Sequence, residues 1–238
     1  MPARREKMTK RKSGLALILA GALLLLSAGA LLFRNYREDQ LAAEEASLAA
    51  QKLRQYMAEA PEERPVPAAG SDPAKSESRA ASLAYRNPED EEFLPAAEKP
   101  LKEEREADTS SVIRIDGFDY IGILDVPDLA LSLPVMADWD YARLKIAPCR
   151  YSGNAKNGDL VLAAHNYATH FGHIPSLDIG SELVFTDVNE NSSKYRITAV
   201  RKIEAGDFAS VLDNDAPLTL FTCTWGGKAR LAVYCEKS

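Results

Sequence analysis

A closed or nearly closed all-β barrel with short helical insertions is the fold class that the sequence predicts for residues 111–238. Three observations carry it. Short apolar runs rich in Val, Ile, Leu, Thr, Tyr and Phe follow one another from about Val112 onward. Turn residues such as Ser152-Gly153-Asn154 and Asn189-Glu190-Asn191 separate them, and no long amphipathic helix intervenes. Upstream the composition differs altogether, with one uncharged apolar stretch and then a polar, proline-rich one.

The apolar stretch is Gly14–Phe33, twenty residues without a charge. As a helix it spans roughly 30 Å, the thickness of a bilayer's hydrocarbon. Residues 1–13 carry six basic side chains, Arg4, Arg5, Lys7, Lys10, Arg11 and Lys12, against Glu6 alone. The positive-inside tendency then keeps this tail in the cytoplasm and sends the rest outward, as a single-pass protein of the cell membrane. A cleaved signal peptide is the competing reading, since Ala28-Gly29-Ala30 has a small-x-small form. Against it, apolar residues continue through Leu31, Leu32 and Phe33, and the run exceeds the ~7–15 residues of a signal core.

Residues 34–110 read as an extracellular stalk. Residues 36–60 are rich in strong helix formers, with only a thin apolar stripe of Leu41, Leu48 and Met57, which predicts a solvated or weakly self-associating helix. Seven prolines between residues 61 and 100, mixed with Glu, Ser, Ala and Arg, predict a disordered spacer. The acidic run 89–92 is a solvated patch within it.

The expected strands are 120–126, 131–136, 159–165, 182–188, 195–203, 218–223 and 229–235, with short helices near 138–146 and 206–212. Net charge is +5 over residues 1–13, −7 over 34–110 and −4 over 111–238. That balance, with no basic stripe outside the N-terminus, excludes the phosphate neutralisation on which a nucleic-acid binder depends. Three cysteines in 238 residues exclude a disulfide-stapled scaffold. No GxxxxGK[ST] phosphate loop occurs, and no cofactor is expected.

All three histidines lie between residues 165 and 173. A metal site is one reading, but the 5-and-3 spacing matches no ligand pattern, and no Cys or paired carboxylate lies nearby to complete a shell. His170 and His173 read as loop surface or local packing. His165 ends a strand beside a turn, where a catalytic group meets groups from neighbouring strands. Cys223 also ends a strand, and a cysteine there is ordinarily a buried hydrophobe. Arg230, seven residues on, alters that reading, because a hairpin brings it roughly opposite Cys223. A guanidinium there stabilises a thiolate or the oxyanion formed when that thiolate attacks a carbonyl, and His165 supplies the proton for a leaving amine.

At these residues the chain resembles the sortases, cysteine transpeptidases displayed on Gram-positive bacteria. Thr219-Leu220-Phe221-Thr222-Cys223 fits the TLxTC nucleophile motif, and AHN followed by HFGHIPSLDIG resembles the histidine region. YIGILDVPDLALSLPV is similar to the first strands of that family, and an Arg lies in the final strand. The resemblance spans about residues 118–237, in the order His, Cys, Arg. It implies a closed eight-stranded barrel and a two-step acyl transfer. Cys223 attacks a backbone carbonyl of an LPxTG-like sorting signal near the C-terminus of a secreted protein and forms a thioester. His165 protonates the departing amine and later deprotonates an amine of a cell-wall precursor or a pilin lysine. Arg230 holds the substrate backbone and the oxyanion. Thr222 and Trp225 are candidates to orient or line the substrate. The interval from Cys223 to Arg230 is shorter than in several sortase branches, which implies a more open barrel mouth on that side.

Two other functions compete: a cysteine peptidase hydrolysing cell-wall peptides, and a non-catalytic membrane-tethered binding module. Every histidine precedes Cys223, the reverse of the papain-like order, which weighs against the first. Cys149 and Cys235 lie in no motif. They read as buried free thiols, with a disulfide between them the alternative.

Overall fold

One long helix, α1 (Ala3–Ala58), opens the chain. Between Pro2 and Pro61 the sequence holds no proline, and within the helix only Thr9 and Ile18 are β-branched, so nothing interrupts the backbone ladder. The computed structural model describes residues 3–58, 111–224 and 226–238. The expected spacer over 61–100 therefore lies outside the described residues.

Met1–Leu41 and Ala42–Ser238 form two units. In the first, Leu19, Leu23, Leu24, Leu25, Leu26 and Leu32 are all exposed. The hydroxyl of Ser27 donates to Leu24 O at 2.9 Å, so this polar side chain is satisfied within its own helix, as a lipid environment requires. α1 is long and apolar enough to cross a membrane.

The second unit is an eight-stranded closed barrel with one added strand. Its strands are β1 (Ile113–Ile115), β2 (Phe118–Val126), β3 (Leu131–Met136), β4 (Cys149–Ser152), β5 (Leu160–Ala163), β6 (Glu182–Asp187), β7 (Ser192–Glu204), β8 (Leu218–Cys223) and β9 (Ala229–Lys237). The order is β1-β2-β3-β4-β5-β8-β9-β7-β6, and β6 pairs back onto β2 to close the barrel. Two short helices, α2 (Tyr141–Leu144) and α3 (Ala209–Leu212), fall within the two expected helical stretches. β1 and β4 were not expected from sequence.

Closure is tight at Gly122, which pairs with Asp187. A Cβ there would lie 2.3 Å from Thr186 O and 2.8 Å from the ring of Phe185, so only glycine lets β2 and β6 approach. Alternate residues of β5 and β8 point inward: Leu160, Leu162, Leu218 and Leu220 join Val135, Leu183, Tyr195 and Val233 in the barrel interior. The intervening residues Val161, Ala163 and Phe221 face outward, beneath Tyr151, Phe208 and Val211.

The C-terminal part of α1 differs from the solvated helix that its composition predicts. Ala42, Ala46, Ala49, Ala50, Leu53 and Met57 are buried, while Leu41 and Leu48 are exposed. Leu53, fully buried, packs in a cluster with Ala49, Met57, Ile115, Tyr120, Ile123 and Met136. Lys52 Nζ pairs with Asp116 at 2.6 Å, and Arg54 Nη2 reaches Asp125 at 2.8 Å and Ser132 Oγ at 2.6 Å. These ion pairs are half-exposed and contribute at most about 1 kcal/mol each, so the buried apolar side chains hold the helix in place.

Candidate active site

The turn after Cys223 sets the register of the site. Gly226 and Gly227 adopt left-handed backbone, φ +76° and +65°. Thr224 N–H donates to Ala229 O at 3.0 Å, and the Thr224 hydroxyl donates to the same oxygen at 3.1 Å. That hydroxyl also accepts from Ala229 N–H at 3.2 Å. Held by this turn, β8 and β9 pair so that Cys223 stands directly opposite Arg230. Side chains so paired leave the same face of the sheet with Cβ atoms about 4.5–5.5 Å apart.

Arg230 is 2% exposed. Its Nη1 donates to Gly227 O at 2.9 Å and to Ala229 O at 3.2 Å, which fixes the guanidinium against its own turn. Burial pushes the Cys223 thiol up from its ordinary range, and the charge of Arg230 opposes that shift without cancelling it. The resting group is therefore a thiol, and attack on a carbonyl requires a base.

His165 stands level with Cys223 through the parallel pairing of β5 with β8. Ala163 pairs with Phe221, Ala164 N–H donates to Phe221 O at 3.2 Å, and the Thr222 hydroxyl donates to Ala164 O at 2.9 Å. His165 is the next residue. Its ring stacks on Tyr167 at 4.0 Å and 17°, and its Nδ1 lies 3.1 Å from Asn166 Oδ1. With Nδ1 as the donor in that contact, Nε2 is the ring nitrogen that can accept a proton.

The remaining sequence candidates separate by position. Thr222 is 3% exposed and its hydroxyl is bonded to Ala164, so it ties the His165 and Cys223 strands together rather than facing outward. Trp225 lies outside the described residues. His170 is fully buried beside Tyr167 at 5.4 Å between ring centres, whereas His173 is exposed. Cys149 and Cys235 are buried free thiols in separate clusters, pushed up by burial, Cys235 to about 12. Among the described residues no three His, Cys, Asp or Glu side chains gather as a metal site would need.

Sequence reasoning missed Tyr141, the first residue of α2. Its phenol interacts electrostatically with both Arg230 and Cys223. No motif surrounds it, and only the folded connection between β3 and β4 brings it to the pair.

A thiol paired with a guanidinium on adjacent strands, with an imidazole two residues past the end of the strand on the other side, has the groups for cysteine-based acyl transfer. Residues 124–238 match the family model of the sortase domain. A comparison with curated proteins finds no match. Similar solved structures include sortase C of Clostridium perfringens SM101, at 21% identity and a TM-score of 0.45, covering 50% of this chain and 70% of that one. Sortase C-3 of Streptococcus pneumoniae aligns at 22% identity and a TM-score of 0.46, over 51% of this chain and 64% of that one. Sortase A of Corynebacterium diphtheriae aligns at 20% and 0.44, over 51% and 61%.

Proposed function

We propose that the protein is a membrane-anchored cysteine transpeptidase that uses Cys223, His165 and Arg230. The observation that supports this reading most directly is the pairing of Cys223 with Arg230 at the end of β8, where His165 leaves the neighbouring strand. His165 Nε2 takes the thiol proton, and Sγ attacks the carbonyl carbon of an LPxTG-like signal in a secreted protein. Arg230 donates to the oxyanion. The C–N bond breaks, the amine leaves with the proton from His165, and the acyl group remains as a thioester. An amine of a cell-wall precursor or a pilin lysine then attacks, gives its proton to His165, and the C–S bond breaks to restore the thiol. Bond energy is conserved through the thioester, so the exchange proceeds without ATP.

In this reading residues 1–13 are cytoplasmic, residues 14–33 span the membrane of a Gram-positive cell, and the barrel faces outward to meet its substrates at the wall. Residues 34–110 form the connection, with residues 42–58 packed on the barrel.

The test is mass spectrometry of the full chain in detergent micelles with a panel of sorting-signal peptides, with and without an added amine. A thioester on Cys223 and an amine-linked product, both absent from Cys223→Ala, are the expected result. Hydrolysis that an amine never diverts would make the protein a peptidase. No thioester with any peptide, and Cys223 inert to iodoacetamide, would refute acyl transfer.

A further inference from the structure

Tyr141 lies within electrostatic range of Cys223 and Arg230 and is at the same time open to solvent, 46% exposed.

The surroundings hold it in that position. Phe221 lies two residues before Cys223 on β8 and so shares its face. Tyr151 meets Phe221 edge-on at 5.1 Å, Trp139 leans on Tyr151 at 5.2 Å, and Tyr141 meets Trp139 edge-on at 6.1 Å. These rings form a continuous aromatic wall from the nucleophile strand out to Tyr141. The backbone beneath is pinned as well. Asp140 caps α2 by accepting from Arg143 N–H at 2.8 Å, and the Arg143 guanidinium lies 3.3 Å from Asp140 and 3.9 Å from Asp138. Arg150 Nε donates to Ala137 O at 3.0 Å. Burial lifts the phenol to about 12, so at neutral pH it is an O–H donor.

We propose that Tyr141 is a substrate-contacting residue: its hydroxyl donates a hydrogen bond to a backbone carbonyl of the acyl-donor peptide held in front of Cys223 and Arg230. This rests on the acyl-transfer reading above. The contact is to main chain, so it positions any signal peptide regardless of its side chains. A fixed phenol suits this role, since a rigid aromatic loses little entropy on binding.

The experiment compares Tyr141→Phe and Tyr141→Ala with the native full chain in micelles. It measures steady-state kinetics with whichever panel peptide the native enzyme processes, and iodoacetamide alkylation of Cys223 with and without that peptide. Tyr141→Phe should raise KM about tenfold, the worth of one hydrogen bond, with kcat changed less than about threefold. It should weaken peptide protection of Cys223 by the same factor, with alkylation of the free enzyme unchanged. Native kinetics in Tyr141→Phe overturn the proposal while leaving acyl transfer standing. Loss only in Tyr141→Ala, with a lower Tm, assigns the residue to packing and also overturns it. If the native enzyme processes no peptide and none protects Cys223, the acyl-transfer reading fails and carries this proposal down with it.

Discussion

Replacing Leu53 by alanine removes three carbon atoms' worth of packing from a helix that composition alone would leave in solvent. Leu53 is fully buried against Ile115, Tyr120, Ile123 and Met136, at a seam formed by α1, β1, β2 and β3. Truncating such a leucine costs about 2–5 kcal/mol, from lost transfer energy and the cavity left behind. For a unit of this size that is a fall in Tm of about 4–20 °C. The assay is thermal and guanidinium unfolding of the full chain in micelles, followed by near-ultraviolet circular dichroism, which reports aromatic packing in the barrel. Leu48→Ala, on the exposed side of the same helix, should change stability by less than about 0.5 kcal/mol. Arg54→Ala, which loses a half-exposed pair with Asp125, should cost no more than about 1 kcal/mol. If Leu53→Ala proves as mild as Leu48→Ala, residues 42–58 are not part of the barrel's folding unit, and the reasoning from their burial is wrong.

Alkylation of Cys223 should accelerate with pH through and beyond the ~8.5 of a free thiol, because burial holds its proton on. Arg230→Gln should move that profile to higher pH, and a move to lower pH would contradict the assigned electrostatics. Thr222→Val keeps shape but strands Ala164 O without its hydroxyl donor; a loss of about 1–3 kcal/mol in urea unfolding is expected, and an unchanged midpoint would refute the role. Burial pushes the Cys235 thiol up to about 12, well above the ordinary thiol range. Its raised value gives stability that is fully present below pH about 9 and disappears as pH rises toward 12, so Cys235→Ala should flatten the alkaline fall in denaturation midpoint. An identical alkaline slope in that variant would show that other groups, the buried tyrosines and Cys149 among them, set it.

Several elements were legible in the sequence because one physical signal sufficed. The seven expected strands are continuous apolar or alternating runs, and each of them contains a strand. The hairpin from Cys223 to Arg230 is short and glycine-bearing, so its register follows from the turn. β4 was not legible, since it is four residues long, carries Arg150 within it and meets β3 at a single parallel position. The docked side of α1 escaped notice for another reason: it is built largely from Ala42, Ala46, Ala49 and Ala50, which raise no apolar stripe yet let the helix approach its neighbours closely. The level placement of His165 depends on a parallel crossover, and Tyr141 reaches the pair through a loop, and neither geometry is written in local spacing.

The bond from Thr222 to Ala164 joins residues 58 positions apart, and the strands it ties run parallel, so no hairpin assembles them early. Closing a loop of that length costs about 3–4 kcal/mol of chain entropy before its contacts return anything. Topologies dominated by contacts of such high sequence separation fold slowly. Cys223 and His165 thus come level along the sheet only when β8 has found its place between β5 and β9. Under the proposed mechanism, Cys223 therefore has no base beside it until that pairing forms, and topology sets the order of events.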